Sequence, residues 1–135
     1  MHFILDCSVA ITWCFIDQAT PYGDNVLKAL KQEQAYVPPI WDLEIANVLY
    51  QAHKKKYCTE ADEAYYLELF AELNIKKLHV DFQIENLISI CKEHKLTAYD
   101  ACYFHLAISQ NLPIATLDKE LKRAILKAGG KIYLE

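Results

Sequence analysis

The sequence predicts an α/β fold in which a central parallel sheet of about five strands lies between two layers of helices. Short apolar runs alternate with amphipathic segments along the chain, and this order is typical of a parallel sheet with helical crossovers. The chain has 135 residues, of which 53% are hydrophobic, so it can bury a core of its own. We therefore expect residues 1–135 to form one domain.

The first third of the chain supplies two predicted strands. Phe3-Ile4-Leu5 is a short apolar run that ends at Asp6, which is the pattern of a buried strand. A short helix is expected over 9–16. Thr20-Pro21 predicts the start of the next helix, because Thr is a good N-cap and Pro fits the first helical position. A brief second strand is expected over 35–37.

The middle of the chain predicts two consecutive helices and a third strand. Asp42 is expected to cap the third helix, whose apolar residues recur at helical spacing as far as Ala52. Thr59 and Asp62 form a capping-box pattern that begins a fourth helix. A strand over 75–80 follows.

The last third of the chain continues the alternation of helices and strands. Gly129-Gly130 is expected to close the final helix, since glycine tolerates the left-handed conformation that ends many helices. The predicted elements are a helix over 82–94, a helix from Thr97 to about 109, a strand over 113–117, a helix over 119–128 and a strand over 132–134.

The cysteines and the amino terminus bear on the cellular compartment. The chain has five cysteines and no C-x-x-C pair, so neither a disulfide framework nor a zinc ribbon is indicated. Free thiols are typical of a reducing compartment. The apolar run over 9–16 is too short to cross a bilayer, and a basic signal-peptide region is lacking. We expect a cytoplasmic protein that does not bind membranes.

Four acidic residues fall at predicted strand ends or helix starts. Asp6 and Asp118 end two strands, and Glu44 and Asp100 lie in the first turns of helices. Ligands of parallel sheets bind beyond the carboxyl ends of the strands. Carboxylates that converge there repel one another unless a cation neutralises them, and oxygen donors favour Mg²⁺ or Mn²⁺ over zinc. Such sites suit phosphoryl chemistry.

Each acid taken alone also fits a structural role. Asp6 and Asp118 are suitable N-caps, and Asp100 fits the acidic half of a capping box with Thr97. Glu44 is favoured by the helix dipole. The joint placement of the four acids, rather than any one of them, favours a site.

Four segments, in order along the chain, resemble the motifs of PIN-domain ribonucleases of the VapC toxin type. The segments are Ile4-Leu5-Asp6-Cys7-Ser8-Val9, Leu43-Glu44-Ile45-Ala46-Asn47-Val48-Leu49, Leu96-Thr97-Ala98-Tyr99-Asp100-Ala101-Cys102-Tyr103 and Ala115-Thr116-Leu117-Asp118. The resemblance spans nearly the whole chain.

This resemblance implies a metal-dependent endoribonuclease in which Asp6, Glu44, Asp100 and Asp118 surround Mg²⁺ or Mn²⁺. It implies that RNA is cut to leave 5′-phosphate and 3′-hydroxyl ends. It also implies a cognate antitoxin protein and a homodimer. Members of the family differ in whether the fourth acid contacts the metal directly, so the resemblance leaves the ligand role of Asp118 open.

Neighbouring polar residues are candidates for supporting roles. Ser8, Asn47 and Thr116 lie close in sequence to the acids and can orient ligands or phosphate. Capping or buried hydrogen bonds are the alternative, and they are favoured more for Asn47 than for Ser8 and Thr116. Weak RNA-binding candidates follow the fourth acid, and the alternative for these is a solvated helix face. They are Lys119, Lys122 and Arg123.

The net charge of −4 argues against nucleic acid at first sight, because nucleic-acid-binding domains are usually basic. Two divalent ions at the four acids would cancel that charge. A receiver domain would need an acidic pair after the first strand, and an Asp-x-Asp phosphatase would need an Asp at Ser8. A DNA-directed nuclease of related fold and a catalytically silent binding domain remain open as alternatives.

Overall fold

The computed structural model describes residues 2–135 and confirms the α/β fold. Four parallel strands form one sheet in the order β3-β2-β1-β4. The strands are β1 (His2–Leu5), β2 (Gln34–Val37), β3 (Ile75–Lys77) and β4 (Ile114–Ala115). The helices are α1 (Cys7–Ala10), α2 (Pro21–Ala29), α3 (Ile40–Lys54), α4 (Glu60–Glu72), α5 (Ile84–His94), α6 (Ala98–Ser109) and α7 (Lys119–Lys127).

The core lies around β1, where Phe3, Ile4 and Leu5 are all fully buried. Helix α6 packs against β1, and α5 and α7 pack against α6. Helix α1 contacts α2 and α3. Because β1 is central and covered, its side chains alternate between two apolar layers, as expected for a parallel sheet. Among residues 2–135, no helix combines the length and apolar character needed to cross a bilayer.

The helix starts predicted from threonine are confirmed. Thr20 Oγ1 accepts a hydrogen bond from the Gly23 N–H at 2.9 Å. Thr59 and Asp62 form the complete capping box, with distances of 2.9 and 3.1 Å. Gly129 follows α7 with φ +84°, which is the left-handed conformation expected after a helix end.

The helix predicted over 9–16 is wrong in form. Helix α1 ends at Ala10, and two 3₁₀ turns follow it, Ile11–Trp13 and Ile16–Gln18. The Thr12 hydroxyl donates to the carbonyl oxygen of Val9 at 2.6 Å. Such a bond from side chain to backbone competes with the α-helical pattern, and the sequence periodicity does not reveal it.

The predicted cap at Asp42 is also wrong. Helix α3 begins at Ile40, and Pro39 occupies the cap position in a helical conformation without a side-chain bond. Proline fixes φ near the helical value, which lets the helix begin early. Asp42 instead forms an ion pair with Lys77 of β3, at 2.6 Å between Nζ and Oδ2.

The sheet edges are shorter than the sequence suggests. The expected last strand over 132–134 is reduced to a single parallel bridge between Ile132 and Ile114. Leu134 has φ +58°, a left-handed conformation that cannot continue a strand. The third strand ends at Lys77 rather than at residue 80.

Gly23 offers a test of the packing between α2 and the 3₁₀ turn. A Cβ at this position would overlap Thr12 Oγ1, and Thr12 is buried and held by Val9. Alanine normally stabilises a helix by about 1 kcal/mol relative to glycine. We expect overpacking of about 1–3 kcal/mol to prevail, so Gly23→Ala lowers the free energy of unfolding, measured by urea denaturation.

The control for this prediction is the same substitution in a Thr12→Ala background. There the overlapping hydroxyl is absent, so Gly23→Ala should cost less than in the natural chain. An equal cost in both backgrounds would contradict the steric explanation.

Candidate functional site

Asp6 lies directly after β1, at the carboxyl edge of the sheet. Its N–H donates to the carbonyl oxygen of Ala115 at 3.0 Å, so the end of β1 is joined to the end of β4. The side chain is 4% exposed. Its Oδ2 accepts hydrogen bonds from Ser8 Oγ at 2.6 Å and from Thr116 Oγ1 at 2.8 Å. Two hydroxyls from different strand ends thus hold this carboxylate in place.

The same two hydroxyls also order the turn after β4. Ser8 Oγ accepts from the Leu117 N–H, and Thr116 Oγ1 accepts from the Asp118 N–H, both at 3.0 Å. Each hydroxyl therefore donates to Asp6 and accepts from the backbone. The structure places these two predicted supporting residues, Ser8 and Thr116, against the first acid.

Glu44 lies in the first half of α3 and is held by α6. Its Oε1 accepts a hydrogen bond from the Tyr103 hydroxyl at 2.6 Å. Tyr103 is fully buried, so the position of the hydroxyl is fixed by packing. The sequence analysis missed this tyrosine. The sequence did contain a signal for it. Tyr103 lies three residues after Asp100, so both side chains are on the same face of α6.

Asp100 and Asp118 occupy two helix starts. The Asp100 N–H donates to Thr97 Oγ1, the N-cap of α6, at 3.2 Å. Asp118 is the N-cap of α7, and its Oδ1 accepts from the Leu121 N–H at 3.0 Å. One carboxylate oxygen of Asp118 is thus used to cap a helix, so the structural role considered for this residue is real.

Burial and neighbouring carboxylates raise the pKa values of Asp6, Glu44 and Asp100. Burial raises the pKa of Asp6 to about 6, the Ser8 and Thr116 bonds oppose this, and Glu44 and Asp118 add to it. Burial also raises the pKa of Asp100 to about 6, with further increases from Asp118 and Asp6. The pKa of Glu44 is raised by burial and by Asp100, against the Tyr103 bond.

The donor chemistry of this acidic cluster fits a hard divalent cation. None of the four acids forms an ion pair within residues 2–135, so their charge is not neutralised by the chain's own lysines. In the same range, no three His, Cys, Asp or Glu side chains lie near enough together to hold one metal ion. Mg²⁺ keeps several water ligands and needs only one or two carboxylates, which is compatible with this spacing.

Other predicted site residues lie apart from the cluster. Asn47 is exposed on α3 one turn beyond Glu44 and lines a cavity of about 790 Å³. Lys122 pairs with Glu135 at 2.5 Å. Arg123 pairs with Glu120 at 3.0 Å and donates to the His94 carbonyl oxygen at 2.7 Å. Lys119 is exposed and, within the described chain, has no ion-pair partner.

The five cysteines take no part in this cluster as free nucleophiles. All are free thiols, and only Cys91 is partly exposed. Burial raises the pKa of Cys7, next to Asp6, far above its ordinary range. A thiol in that state is inert at neutral pH, so Cys7 behaves as part of the core.

The fold and the four acids define an α/β protein with an acidic site at the carboxyl edge of a parallel sheet. A sequence profile of the PIN domain matches residues 3–125. The chain therefore belongs to the PIN-domain family. A search of curated proteins gave no significant match.

Solved structures from Pyrobaculum aerophilum and Rickettsia felis are among those that share the fold. The crystal structure of PAE2754 from Pyrobaculum aerophilum is 19% identical, with a TM-score of 0.70 over 92% of this chain and 84% of that one. The crystal structure of VapBC2 from Rickettsia felis, bound to a DNA fragment from their promoter, includes a chain that is 18% identical. Its TM-score is 0.57 over 92% of this chain and 93% of that chain.

Asp6 makes the stability of the metal-free protein depend on pH. Its folded-state pKa of about 6 lies above the ordinary 3.8, so between these values the folded protein binds more protons than the unfolded chain. Stability is therefore lost as pH rises from about 4 through 6. In EDTA at pH 7.5, we expect the free energy of unfolding of Asp6→Asn to exceed that of the natural chain by about 3 kcal/mol.

Chemical denaturation at several pH values checks this prediction. The asparagine oxygen can still accept the Ser8 and Thr116 bonds, so the two proteins should converge near pH 4. Asp24→Asn, an exposed acid on α2, is the matched control and should follow the natural chain. If the free energies of unfolding of Asp6→Asn and the natural chain change with pH in the same way, the raised pKa of Asp6 is contradicted.

The substitution Tyr103→Phe tests whether the tyrosine hydroxyl holds the Glu44 carboxylate in position for metal binding. The substitution keeps the buried ring and removes the hydroxyl that holds the carboxylate. Removing a partner that orients a metal ligand typically costs about 10–100-fold in affinity. We expect a loss of this size in Mn²⁺ affinity by isothermal titration calorimetry, with the secondary structure unchanged.

Tyr65→Phe is the control for this substitution, because Tyr65 lies exposed on α4. It should bind Mn²⁺ as the natural chain does. If Tyr103→Phe also binds Mn²⁺ normally, Glu44 either needs no fixed position or does not contact the ion.

Proposed function

We propose that this chain is a metal-dependent endoribonuclease and the toxin of a toxin–antitoxin pair. The observation that carries this proposal is the cluster of Asp6, Glu44, Asp100 and Asp118, which forms no ion pair within residues 2–135 and lies where parallel sheets bind ligands. PIN domains are typically nucleases, and the fold is shared with a VapBC2 structure. The family match over residues 3–125 also supports a single PIN-like domain.

The proposed reaction is hydrolysis of an RNA phosphodiester bond. When bound by the acidic cluster, a divalent cation, Mg²⁺ or Mn²⁺, would stabilise the negative charge of the phosphate and lower the pKa of a water nucleophile. Asp6, Glu44 and Asp100 are the acids proposed to hold this cation, one or two by direct contact and the others through its water ligands. Asp118 is the weakest candidate for direct contact, because one of its oxygens already caps α7.

The chain's own groups would keep these acids in position before substrate arrives. Ser8 and Thr116 hold Asp6, and Tyr103 holds Glu44. Because these bonds are made by the chain's own side chains, the ion would find ligands that are already oriented. Lys119, next to Asp118, is the strongest of the three basic candidates for contact with phosphate, since Lys122 and Arg123 already have partners.

The charge of the site also supports an antitoxin partner. Four acids that form no ion pair with any described residue make a negatively charged cluster, and a basic side chain of a bound protein would be attracted to it. We propose that the cognate antitoxin silences the enzyme by placing an arginine or lysine there. The similarity to a chain of the VapBC2 structure also suggests an antitoxin partner.

Cleavage assays with matched variants test the nuclease assignment. RNA and single-stranded DNA of the same sequence are incubated with Mg²⁺ or Mn²⁺, with and without EDTA. We expect cleavage of RNA that EDTA abolishes, and a loss of at least about 100-fold in Asp6→Asn and Asp100→Asn. Asp24→Asn should cleave at the natural rate, which shows that removing one acid elsewhere is harmless.

Each contrary outcome identifies one of the alternatives. Cleavage of DNA but not RNA would indicate a DNA-directed nuclease. If folded Asp6→Asn cleaves RNA at the natural rate, the acidic cluster takes no part in the reaction. Absence of cleavage by the natural chain, despite binding of Mn²⁺ and nucleic acid, would favour a catalytically silent binding domain.

A further inference from the structure

The cavity beside α3 lies on the same face of that helix as Glu44. Val48, Gln51 and the C-cap residue Lys55 line this cavity of about 790 Å³. With a rotation of about 100° per residue, all three lie within about 40° of Glu44 around the helix axis. A rise of about 1.5 Å per residue places Lys55 about 16 Å from Glu44 along the axis. This cavity, the α3 groove, therefore extends away from the acidic cluster along the helix that carries Glu44.

Two tyrosines border the end of the α3 groove that is far from the acids. Tyr57 and Tyr66 both line the groove, and Tyr57 is 76% exposed. The turn after α3 fixes the backbone of Tyr57. Lys56 has φ +63°, and the Tyr57 N–H donates to the carbonyl oxygen of Ala52 at 2.8 Å, which is the pattern of a Schellman turn. The aromatic ring is therefore presented to solvent from a fixed position.

Three consecutive lysines, Lys54, Lys55 and Lys56, lie at the same end of the groove. All three are exposed, and none forms an ion pair with another residue of 2–135. Lys54 Nζ lies 5.5 Å from the centroid of the Tyr50 ring. The dipole of α3 favours positive charge here, but it amounts to only about half an elementary charge. Most of the positive charge is therefore available to a ligand.

Amide side chains lie between the two ends of the groove. Asn47 and Gln51 line it, and an amide can both donate and accept hydrogen bonds, as the edges of nucleobases do. Asp17 is the one acid among the lining residues, and Lys55 lines the same cavity. The groove is therefore polar and close to neutral, whereas its far end is basic.

A single strand of nucleic acid has the chemistry that matches this surface. The lysines require an anionic ligand, and an exposed aromatic ring such as that of Tyr57 offers a face on which any unpaired base can stack. A strand whose phosphate lies at the acidic cluster can continue along α3 without interruption. A basic protein segment, such as the one proposed above to reach the acids, would be repelled by the three lysines.

We propose that the α3 groove holds single-stranded RNA on one side of the scissile phosphate, with a base stacked on Tyr57 and phosphates bound by Lys54, Lys55 and Lys56. This proposal rests on the nuclease function proposed above, because that function fixes a phosphate near Glu44. A strand with the stacked spacing of about 3.4 Å per phosphate covers about 16 Å with about five nucleotides.

The dependence of affinity on RNA length tests the groove in the full chain. Fluorescence anisotropy in EDTA measures binding of labelled oligouridylates from about 2 to about 12 nucleotides. We expect the affinity to rise steeply up to about five nucleotides, and equal affinity at all lengths would overturn the proposal. Because EDTA prevents metal-dependent cleavage, this measurement can fail while the nuclease assay succeeds, and the reverse.

Two substitutions of Tyr57 separate base stacking from simple apolar contact. Tyr57→Phe keeps the aromatic face and should bind the longer oligouridylates as the natural chain does. Tyr57→Leu keeps an apolar side chain without a ring, and we expect its affinity to fall at least about 5-fold. Both variants should fold, because the ring is exposed, and circular dichroism checks this. Equal binding by the two variants would overturn the role of Tyr57.

The salt dependence of binding tests the three lysines. Each phosphate contact to a single strand contributes about 0.7 to the slope of log K against log salt. Replacing residues 54–56 by glutamine should therefore reduce that slope by up to about 2. The matched control replaces three other exposed lysines by glutamine and should keep the natural slope. These are Lys28, Lys31 and Lys92.

Two outcomes of this experiment would overturn the proposal. One is a natural salt slope in the variant with glutamine at 54–56. The other is displacement of the RNA by an oligoglutamate peptide of equal length and concentration, which would indicate that the groove accepts an acidic protein segment instead of a nucleic-acid strand.

Discussion

The hydrogen bonds that hold the Asp6 carboxylate join the ends of β1 and β4 at the edge of the sheet where the acids lie. Ser8 follows β1 and Thr116 follows β4, and both hydroxyls donate to the same oxygen of Asp6. The same hydroxyls accept from the Leu117 and Asp118 backbone. The turn that leads to the cap of α7 therefore depends on an acid more than one hundred residues earlier in the chain.

This arrangement places like charges together in partly buried surroundings. Burial and mutual repulsion raise the pKa values of Asp6, Glu44 and Asp100, which means that the metal-free site carries unfavourable electrostatic energy at neutral pH. Such strain is common where function requires it, and the remaining structure compensates for it. A cation bound by these acids would relieve it, so ion binding and stability are linked.

Local signals predicted the elements wherever one residue type decides the conformation. Thr20, Thr59 and Thr97 each cap the helix expected of them, because a threonine hydroxyl satisfies a backbone donor within three residues. The predictions were wrong where a distant or competing partner decides. Asp42 pairs with Lys77 rather than capping α3. The last predicted strand does not extend to residue 134, because the backbone of Leu134 has a left-handed conformation.

For the site, the sequence by itself determined the order of the four acidic motifs and their positions at strand ends and helix starts. Chain direction in a parallel sheet then requires that these positions share one edge. Only the tertiary structure decided which groups support the acids. Tyr103 holds Glu44, while Lys122 and Arg123 are taken by Glu135, Glu120 and the end of α5. These pairings depend on distances between elements far apart in sequence, which no local periodicity encodes.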